Sequence, residues 1–202
     1  MNRVFASLLA GLLLAIPPAH AELRGKVHML VNPEAPRAEW RRVPLPGAYV
    51  AVLWSVTVPA PAHAISTCRY GELARSDERG EYAMEGPGFV TTALAKPSFL
   101  VYSPGLESVN FPYGGSLQSE KDITMARSAL PPQERLSRLA VDTDLHCAGT
   151  KLNDPHSLLE AYHRALLDEG RSLQVESPSG RIQLQHLEAV ARRAARPPPP
   201  GQ

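Results

Sequence analysis

The sequence predicts a mainly β chain, an antiparallel β-sandwich followed by two or three C-terminal helices. Short stretches of alternating apolar and polar residues recur up to about residue 127, and helical spacing replaces them beyond Ala129. The 20 prolines among 202 residues are too many for an all-helical bundle and suit strands joined by turns. The predicted divisions are a signal peptide over 1–21, the sandwich over 22–127, a helical segment over 128–195 and a Pro-rich tail over 196–202.

The N-terminus has the features of an export signal. Arg3 precedes an apolar stretch over residues 4–16, and the small residues Ala19 and Ala21 fit the specificity of a signal peptidase. We expect cleavage between Ala21 and Glu22, with an uncleaved N-terminal anchor as the alternative. No cysteine lies near this cut, and no later stretch reaches the length of a membrane span, about 18 apolar residues. The mature protein is therefore expected in the periplasm or outside the cell, without a lipid anchor.

Charge and composition restrict the classes of partner. Lys and Arg number 21 and Asp and Glu number 20, so the formal net charge is +1, and loss of the signal peptide with Arg3 makes the chain neutral. A neutral chain is not expected to bind nucleic acid or an anionic membrane as its main partner. The hydrophobic share of 44% is sufficient for a core.

Strands are predicted in order along the first part of the chain. Residues 23–31 alternate apolar and polar side chains, and residues 48–54 form a more apolar strand. Between them lies a Pro-rich loop that contains Trp40. A hairpin turn is predicted at residues 76–80, because an Asp that can bond its own backbone precedes a Gly that tolerates positive φ. The further predicted strands are residues 67–74, 81–84, 89–95, 98–102 and 122–125.

Helices are predicted in the second part of the chain. The first covers residues 131–139 and has Pro in its first turn. The second begins with Asp154 as the N-cap and Pro155 at the first helical position, and it is expected to end at Gly170. The third covers residues 180–195, and the prolines that follow it predict a solvated polyproline tail.

Two cysteines, Cys68 and Cys147, are present in the sequence, both in the part expected to be exported. An even number of cysteines in an oxidising compartment favours a disulfide between them. Two alternatives stay open: two free buried thiols, or a metal site that combines Cys147 with His146. Neither cysteine belongs to a CxxC pair, so a redox or zinc motif has little support.

Two short motifs resemble a known domain family. Residues 44–52, PLPGAYVAV, and residues 74–82, ARSDERGEY, resemble the carboxypeptidase regulatory-like domain. The whole chain is similar to exported bacterial proteins that combine this domain with a C-terminal helical segment and one cysteine in each part. The resemblance implies a prealbumin-like (transthyretin-like) sandwich that is a non-catalytic module without a cofactor.

Two sets of residues have spacings at which a metal ion can bind. In the first set, two carboxylates and an imidazole occupy alternate positions after the first predicted helix. In the second set, a Glu and a His lie three residues apart on the second predicted helix, as in carboxylate-bridged iron sites. The ordinary interpretations, an acidic helix end and a solvated helix face, are favoured, so no catalytic residue and no metal ligand is predicted. The two sets are Asp142, Asp144 and His146, and Glu160, His163 and His156.

Aromatic side chains in or beside predicted loops form a possible recognition surface, made of Trp40, His63 and Tyr70. Trp54 ends an apolar strand and is expected in the core. The sequence therefore predicts a non-enzymatic module that binds a protein or glycan in the periplasm. The alternative is a small periplasmic enzyme or a metal- or small-molecule-binding protein on a transthyretin-like fold, although no zinc-peptidase, serine-hydrolase or phosphate-loop motif is present.

Overall fold

The protein folds into two β-sheets and three α-helices in the part that the computed structural model describes. The described residues are 23–33, 36–58, 65–86, 96–112, 121–143, 145 and 156–196. The strands are β1 (Leu23–Val31), β2 (Arg41–Pro44), β3 (Tyr49–Val58), β4 (Ile65–Arg75), β5 (Glu81–Met84), β6 (Lys96–Tyr102), β7 (Val109–Pro112) and β8 (Ile123–Met125). The helices are α1 (Pro132–Asp142), α2 (His156–Ser172) and α3 (Pro178–Ala194), and a short 3-10 helix spans Arg37–Glu39. Strand and helix contents are about equal, so the prediction of a mainly β chain is corrected to a mixed α and β chain.

Both sheets are mostly antiparallel. In sheet I, β1 pairs antiparallel with β2 and β5 and parallel with β8. Sheet II has the order β4-β3-β6-β7 and is antiparallel throughout its described pairs. β2 lies in the segment for which the sequence predicts a loop, and β7 lies where no strand is predicted. The strand predicted at residues 89–95 lies outside the described residues.

The turn at residues 76–80 is confirmed, but the hairpin predicted around it is wrong. Gly80 has a φ of 74° and its N–H donates to Asp77 O at 2.9 Å. The Asp77 carboxylate accepts hydrogen bonds of 2.8 Å from the N–H groups of Arg79 and Glu81. The strand before this turn, β4, belongs to sheet II, and β5 after it belongs to sheet I. The turn therefore carries the chain from one sheet to the other.

The two sheets face each other across a shared hydrophobic core. Alternate residues of β3 point into it, among them Val50, Val52 and Trp54, because side chains alternate between the two faces of a strand. Sheet I supplies Val27 from its central strand, and the two inner faces together bury this core. Its buried members are Leu23, Val27, Ala48, Val50, Val52, Trp54, Tyr82, Met84, Phe99, Val101, Leu106, Ile123 and Met125.

The three helices cover the opposite face of sheet II and form a second core with it. The intervening residues of β3, Tyr49 and Ala51, point towards the helices. β3 is therefore buried on both faces, which explains its nearly continuous apolar sequence. The buried members of this second core are Tyr49, Ala51, Leu73, Leu100, Tyr102, Leu136, Leu139, Leu145, Tyr162, Leu166, Leu167 and Leu187.

Helix α2 continues past Gly170, where the sequence predicts its end. A Cβ at this position would lie 2.7 Å from Leu187 Cδ1 and 3.2 Å from Leu136 Cδ1. The glycine thus permits the close approach of α2 to α1 and α3 instead of ending the helix. The predicted start of this helix at Asp154 and Pro155 lies outside the described residues.

Within the described ranges, none of the helices is long and apolar enough to be a candidate membrane span. The predicted cleavage site between Ala21 and Glu22 and the tail beyond Arg196 lie outside those ranges, so both stay predictions.

Candidate functional site

Trp40 is an exposed aromatic residue at a corner of sheet I. It follows the 3-10 helix and directly precedes β2, with an extended backbone (φ −63°, ψ 128°). The residue is 41% exposed, and the Arg37 guanidinium lies over its ring at 5.8 Å from the centroid, a cation–π distance. Trp40 therefore lies at the surface, and its role in recognition stays a prediction.

Three exposed arginines lie close to this tryptophan in the sequence. Arg41 and Arg42 follow it on β2 and are exposed, as is Arg37. None of the three forms an ion pair with another described residue, and Glu39 is the one acidic residue in the segment 37–42. We call Arg37, Trp40, Arg41 and Arg42 the Trp40 surface.

Tyr70 is not part of this surface. It lies on β4 of sheet II, directly opposite Trp54 on β3, and the two rings meet edge to face at a centroid distance of 5.2 Å. Its hydroxyl donates to Glu72 Oε2 at 3.2 Å. Trp54 is 2% exposed, which confirms its predicted place in the core. Tyr70 therefore packs at the margin of the core between the sheets, and its part in a recognition surface stays a prediction.

The remaining predicted surface and disulfide residues are described only in part. His63 and Cys147 lie outside the described residues. Cys68 is half-buried on β4, opposite Ser55 and next to an irregularity of the β3–β4 register. The disulfide between Cys68 and Cys147 stays a prediction.

A buried ion pair that the sequence does not predict joins α1 to α2. Arg135 Nε lies 2.8 Å from Glu169 Oε1, and Arg135 Nη2 lies 3.1 Å from Glu169 Oε2. The Arg135 side chain is 2% exposed. The Tyr102 hydroxyl of β6 donates to Glu169 Oε2 at 2.8 Å and lies 3.0 Å from Ala165 O. The network therefore connects two helices with sheet II.

Burial raises the pKa of two phenols in this interface. The pKa of Tyr102 is raised far above its usual value, first by burial and then by the adjacent Glu169 carboxylate. Burial also raises the pKa of Tyr162, whose hydroxyl donates to Asp142 O at 2.6 Å. Both phenols act as hydrogen-bond donors inside the helix–sheet interface.

Asp142, from the first predicted metal set, belongs to the protein interior. Its side chain is 1% exposed, with Oδ1 at 3.6 Å from Arg138 Nε. Oδ2 has no hydrogen-bond partner among the described residues. Burial raises the pKa of this carboxyl, against the lowering effects of the Ser108 hydroxyl and Arg138. The other two members, Asp144 and His146, lie outside the described residues.

The described members of the second predicted metal set, Glu160 and His163 of α2, differ in burial. Glu160 is half-buried and pairs with an arginine of its own helix. His163 is buried, with its ring 5.2 Å from that of Tyr162 and its Nε2 3.5 Å from Thr143 O. The solvated face predicted for both residues is therefore wrong for His163. The side chain of His156 is not described, and no three His, Cys, Asp or Glu residues of the described part are placed to hold a metal ion.

A cleft of about 520 Å³ lies beside β1 and β5, and several of its charged groups interact with one another. Lys26 Nζ is 3.0 Å from Glu81 Oε1, and the Lys26 N–H donates to Asp122 Oδ1 at 3.1 Å. The hydrogen bond from the Glu81 N–H is the largest of several effects that lower the pKa of Asp77. These groups stabilise the turn and the sheet end. The lining residues are Arg24, Gly25, Lys26, Arg75, Asp77, Glu81, Tyr82, Ala83 and Asp122.

Neither the protein-family models nor the curated proteins with which the sequence was compared give a match. The likeness to the carboxypeptidase regulatory-like domain therefore rests on the two sequence motifs.

Proposed function

We propose that this chain is an exported, non-catalytic module with a prealbumin-like sandwich, which binds a protein or glycan partner through the Trp40 surface. The observation that carries the proposal is the exposure of Trp40 beside three exposed arginines. Trp and Arg are the residue types that contribute most often to the energetic centre of interfaces.

The energetics of Trp40 support a binding role. A tryptophan that remains 41% exposed leaves apolar area in water, and covering it releases free energy of about 25 cal/mol per Å². Arginines beside it add planar groups that form paired hydrogen bonds with carboxylates. An aromatic plane next to such groups suits a sugar ring as well as a protein side chain.

The two-sheet architecture supports the prealbumin-like part of the proposal. Two mostly antiparallel sheets share one core, as a β-sandwich requires. The helices cover sheet II and leave the outer face of sheet I and its β2 edge without a helical cover in the described part of the chain. The Trp40 surface lies on this part of sheet I, which the helices do not cover.

The positions of the buried ionisable groups favour binding over catalysis. Glu169 is held by Arg135 and Tyr102, and Asp142 is enclosed at the end of α1. These groups lie inside the helix–sheet interface, whereas catalysis requires such groups to converge on a concavity that a substrate can enter.

The proposal is tested with a photo-crosslinking amino acid at Glu39, which lies next to Trp40 and is exposed. Illumination in the producing cells is expected to give a discrete adduct, and mass spectrometry identifies it as protein or glycan. Trp40→Ala should remove this adduct. Ile182→Ala is the matched control, because Ile182 is another large apolar residue, 68% exposed on α3. An adduct that persists in Trp40→Ala, or that is lost equally in the control, contradicts the proposal.

A further inference from the structure

β2 forms one edge of sheet I within the described residues. It pairs with β1 in a register that places Arg42 opposite Leu30 and Arg41 opposite Val31. The outward backbone groups of an edge strand are satisfied by water or by another strand. β2 is therefore a place where an extended segment can add to the sheet.

The register determines which backbone groups of β2 point away from β1. The Leu45 N–H donates to Val27 O at 2.9 Å, and hydrogen-bonded pairs alternate with non-hydrogen-bonded pairs along an antiparallel ladder. The residues on either side of Arg42 therefore bond to β1, and the N–H and C=O of Arg42 point outward. Pro44, at the next outward position, has no N–H that needs a partner.

The side chains of this edge are strongly cationic. Arg41 and Arg42 are consecutive, so they point to opposite faces of the sheet, and both are exposed. Arg37 adds a third positive charge over the ring of Trp40. A segment that approaches β2 therefore meets an arginine on each face.

The same charges disfavour a second copy of this chain as the occupant. Pairing of two β2 edges would place arginines against arginines, and like charges on paired strands are destabilising. The surface fits an occupant of opposite charge whose backbone can bond to Arg42.

We propose that a partner protein adds an extended segment with two consecutive acidic residues to β2. One carboxylate would meet Arg41 on one face, and the next would meet Arg42 on the other, while the backbone bonds to the Arg42 N–H and C=O. An apolar side chain beside this acidic pair would cover Trp40. The inference rests on the proposed function, because it names the partner class for the Trp40 surface.

The probe is a displayed library of random ten-residue peptides, selected against the mature protein. Selected peptides are expected to be enriched in adjacent Asp or Glu residues. The double variant Arg41→Ala and Arg42→Ala should bind them about tenfold more weakly or worse, since close charge pairs are lost. The matched control is Arg192→Ala with Arg193→Ala, two consecutive exposed arginines of α3, which should bind as the unsubstituted protein does.

A second arm tests strand addition itself. Arg42→Pro and Arg42→Ala both remove the guanidinium, but only the proline also removes the outward N–H. The proline variant should bind the selected peptides more weakly than the alanine variant. In the unsubstituted protein, a bound peptide should slow hydrogen exchange of the Arg42 amide, a readout that does not depend on the folding of any variant.

The outcomes separate this inference from the proposed function. Peptides without acidic enrichment, or an Arg42 amide that exchanges equally fast with bound peptide, overturn the inference. If a glycan array instead gives binding that depends on Trp40, the proposed function stands and strand addition falls. If neither peptides nor glycans depend on Trp40, both fall.

Discussion

Three tyrosines from different elements meet where the helices cover sheet II. Tyr49 lies 5.4 Å from Tyr162 and 6.2 Å from Tyr102, and the rings of Tyr102 and Tyr162 are 5.7 Å apart. The ring of Tyr162 meets the other two edge to face, whereas Tyr49 and Tyr102 are stacked, and such contacts add specificity to the burial of large apolar area. The hydroxyls of Tyr102 and Tyr162 need acceptors inside the protein, and Glu169 and the backbone carbonyl of Asp142 provide them.

Asp142→Asn is expected to stabilise the protein at neutral pH. Because burial raises the folded-state pKa above the unfolded value, the contribution of Asp142 to stability is present below the unfolded pKa and is lost as pH rises through the folded pKa. Asparagine removes the buried charge, and the free energy of unfolding should rise by about 1 kcal/mol at pH 7. Urea unfolding at pH 7 and pH 3 measures this change, which should be near zero at pH 3.

Asp168→Asn is the control for this measurement, since Asp168 is an exposed aspartate of α2. Its stability should follow that of the unsubstituted protein at both pH values. A loss of stability at pH 7 in Asp142→Asn would mean that the Arg138 and Ser108 interactions outweigh the cost of burying the carboxylate.

Sequence neighbours predict the environment of some single residues and not of others. Trp40 lies among charged residues and is exposed, and Trp54 ends an apolar strand and is buried. Tyr70 lies in a polar stretch, but its environment comes from Trp54, which faces it across two strands. His163 is buried because the end of α1 packs on it. Local sequence carries no information on either contact.

At the scale of elements, the Arg135–Glu169 pair couples α1 to α2. Arg135→Met is expected to lower the free energy of unfolding by about 3 kcal/mol, because it leaves the Glu169 carboxylate buried with only Tyr102 as a side-chain donor. The double variant Arg135→Met with Glu169→Leu should recover most of this loss, since neither charge of the pair remains. Chemical unfolding of both single variants and the double variant measures the coupling.

The exposed pair between Arg171 and Glu188, 3.0 Å apart, provides a matched comparison between α2 and α3. A double-mutant cycle on this pair should give a coupling free energy of less than about 1 kcal/mol, because solvent screens exposed charges. Equal couplings in the two cycles would show that burial does not control the strength of the Arg135–Glu169 pair.

Local chemistry predicts a turn but not the partners of the strands beside it. Asp77 and Gly80 determine the turn at residues 76–80, and its hydrogen bonds form as expected. β5 pairs with β1 because its apolar face fits the core between the sheets, and that pairing is not encoded near the turn. The sequence does not predict β2, because two arginines and a proline are not typical of strands. An edge strand tolerates these residue types.

At the scale of the whole molecule, sheet II is the middle of three layers, with sheet I on one face and the helices on the other. A chain that ends after Arg127 would expose the apolar face that the helices cover. We expect this truncated protein to aggregate or to bind a hydrophobic dye strongly, as measured by size-exclusion chromatography and dye fluorescence. The newly exposed side chains would be Tyr49, Ala51, Leu73, Leu100 and Tyr102.

A chain that ends after Ala195 is the matched control, because it removes the predicted tail and keeps the three helices. It should remain monodisperse under the same conditions. A soluble and equally stable sandwich after truncation at Arg127 would contradict the structural role assigned to the helices.

The composition and periodicity predict the two kinds of element but not the balance or arrangement of the layers. The change of pattern near Ala129 separates strands from helices along the chain, and the structure follows it. Sheet II is buried on both faces because distant helices return to it, so its alternate residues serve two cores.

The parallel pairing of β1 with β8 has a consequence for the order of assembly. Val27 of β1 pairs with Ile123 of β8, so β1 is synthesised about a hundred residues before this partner strand. Sheet I therefore cannot close until β8 has been synthesised, and β1 remains a site for incorrect pairing during that interval. We expect the completion of sheet I to be a late event in the folding of this protein.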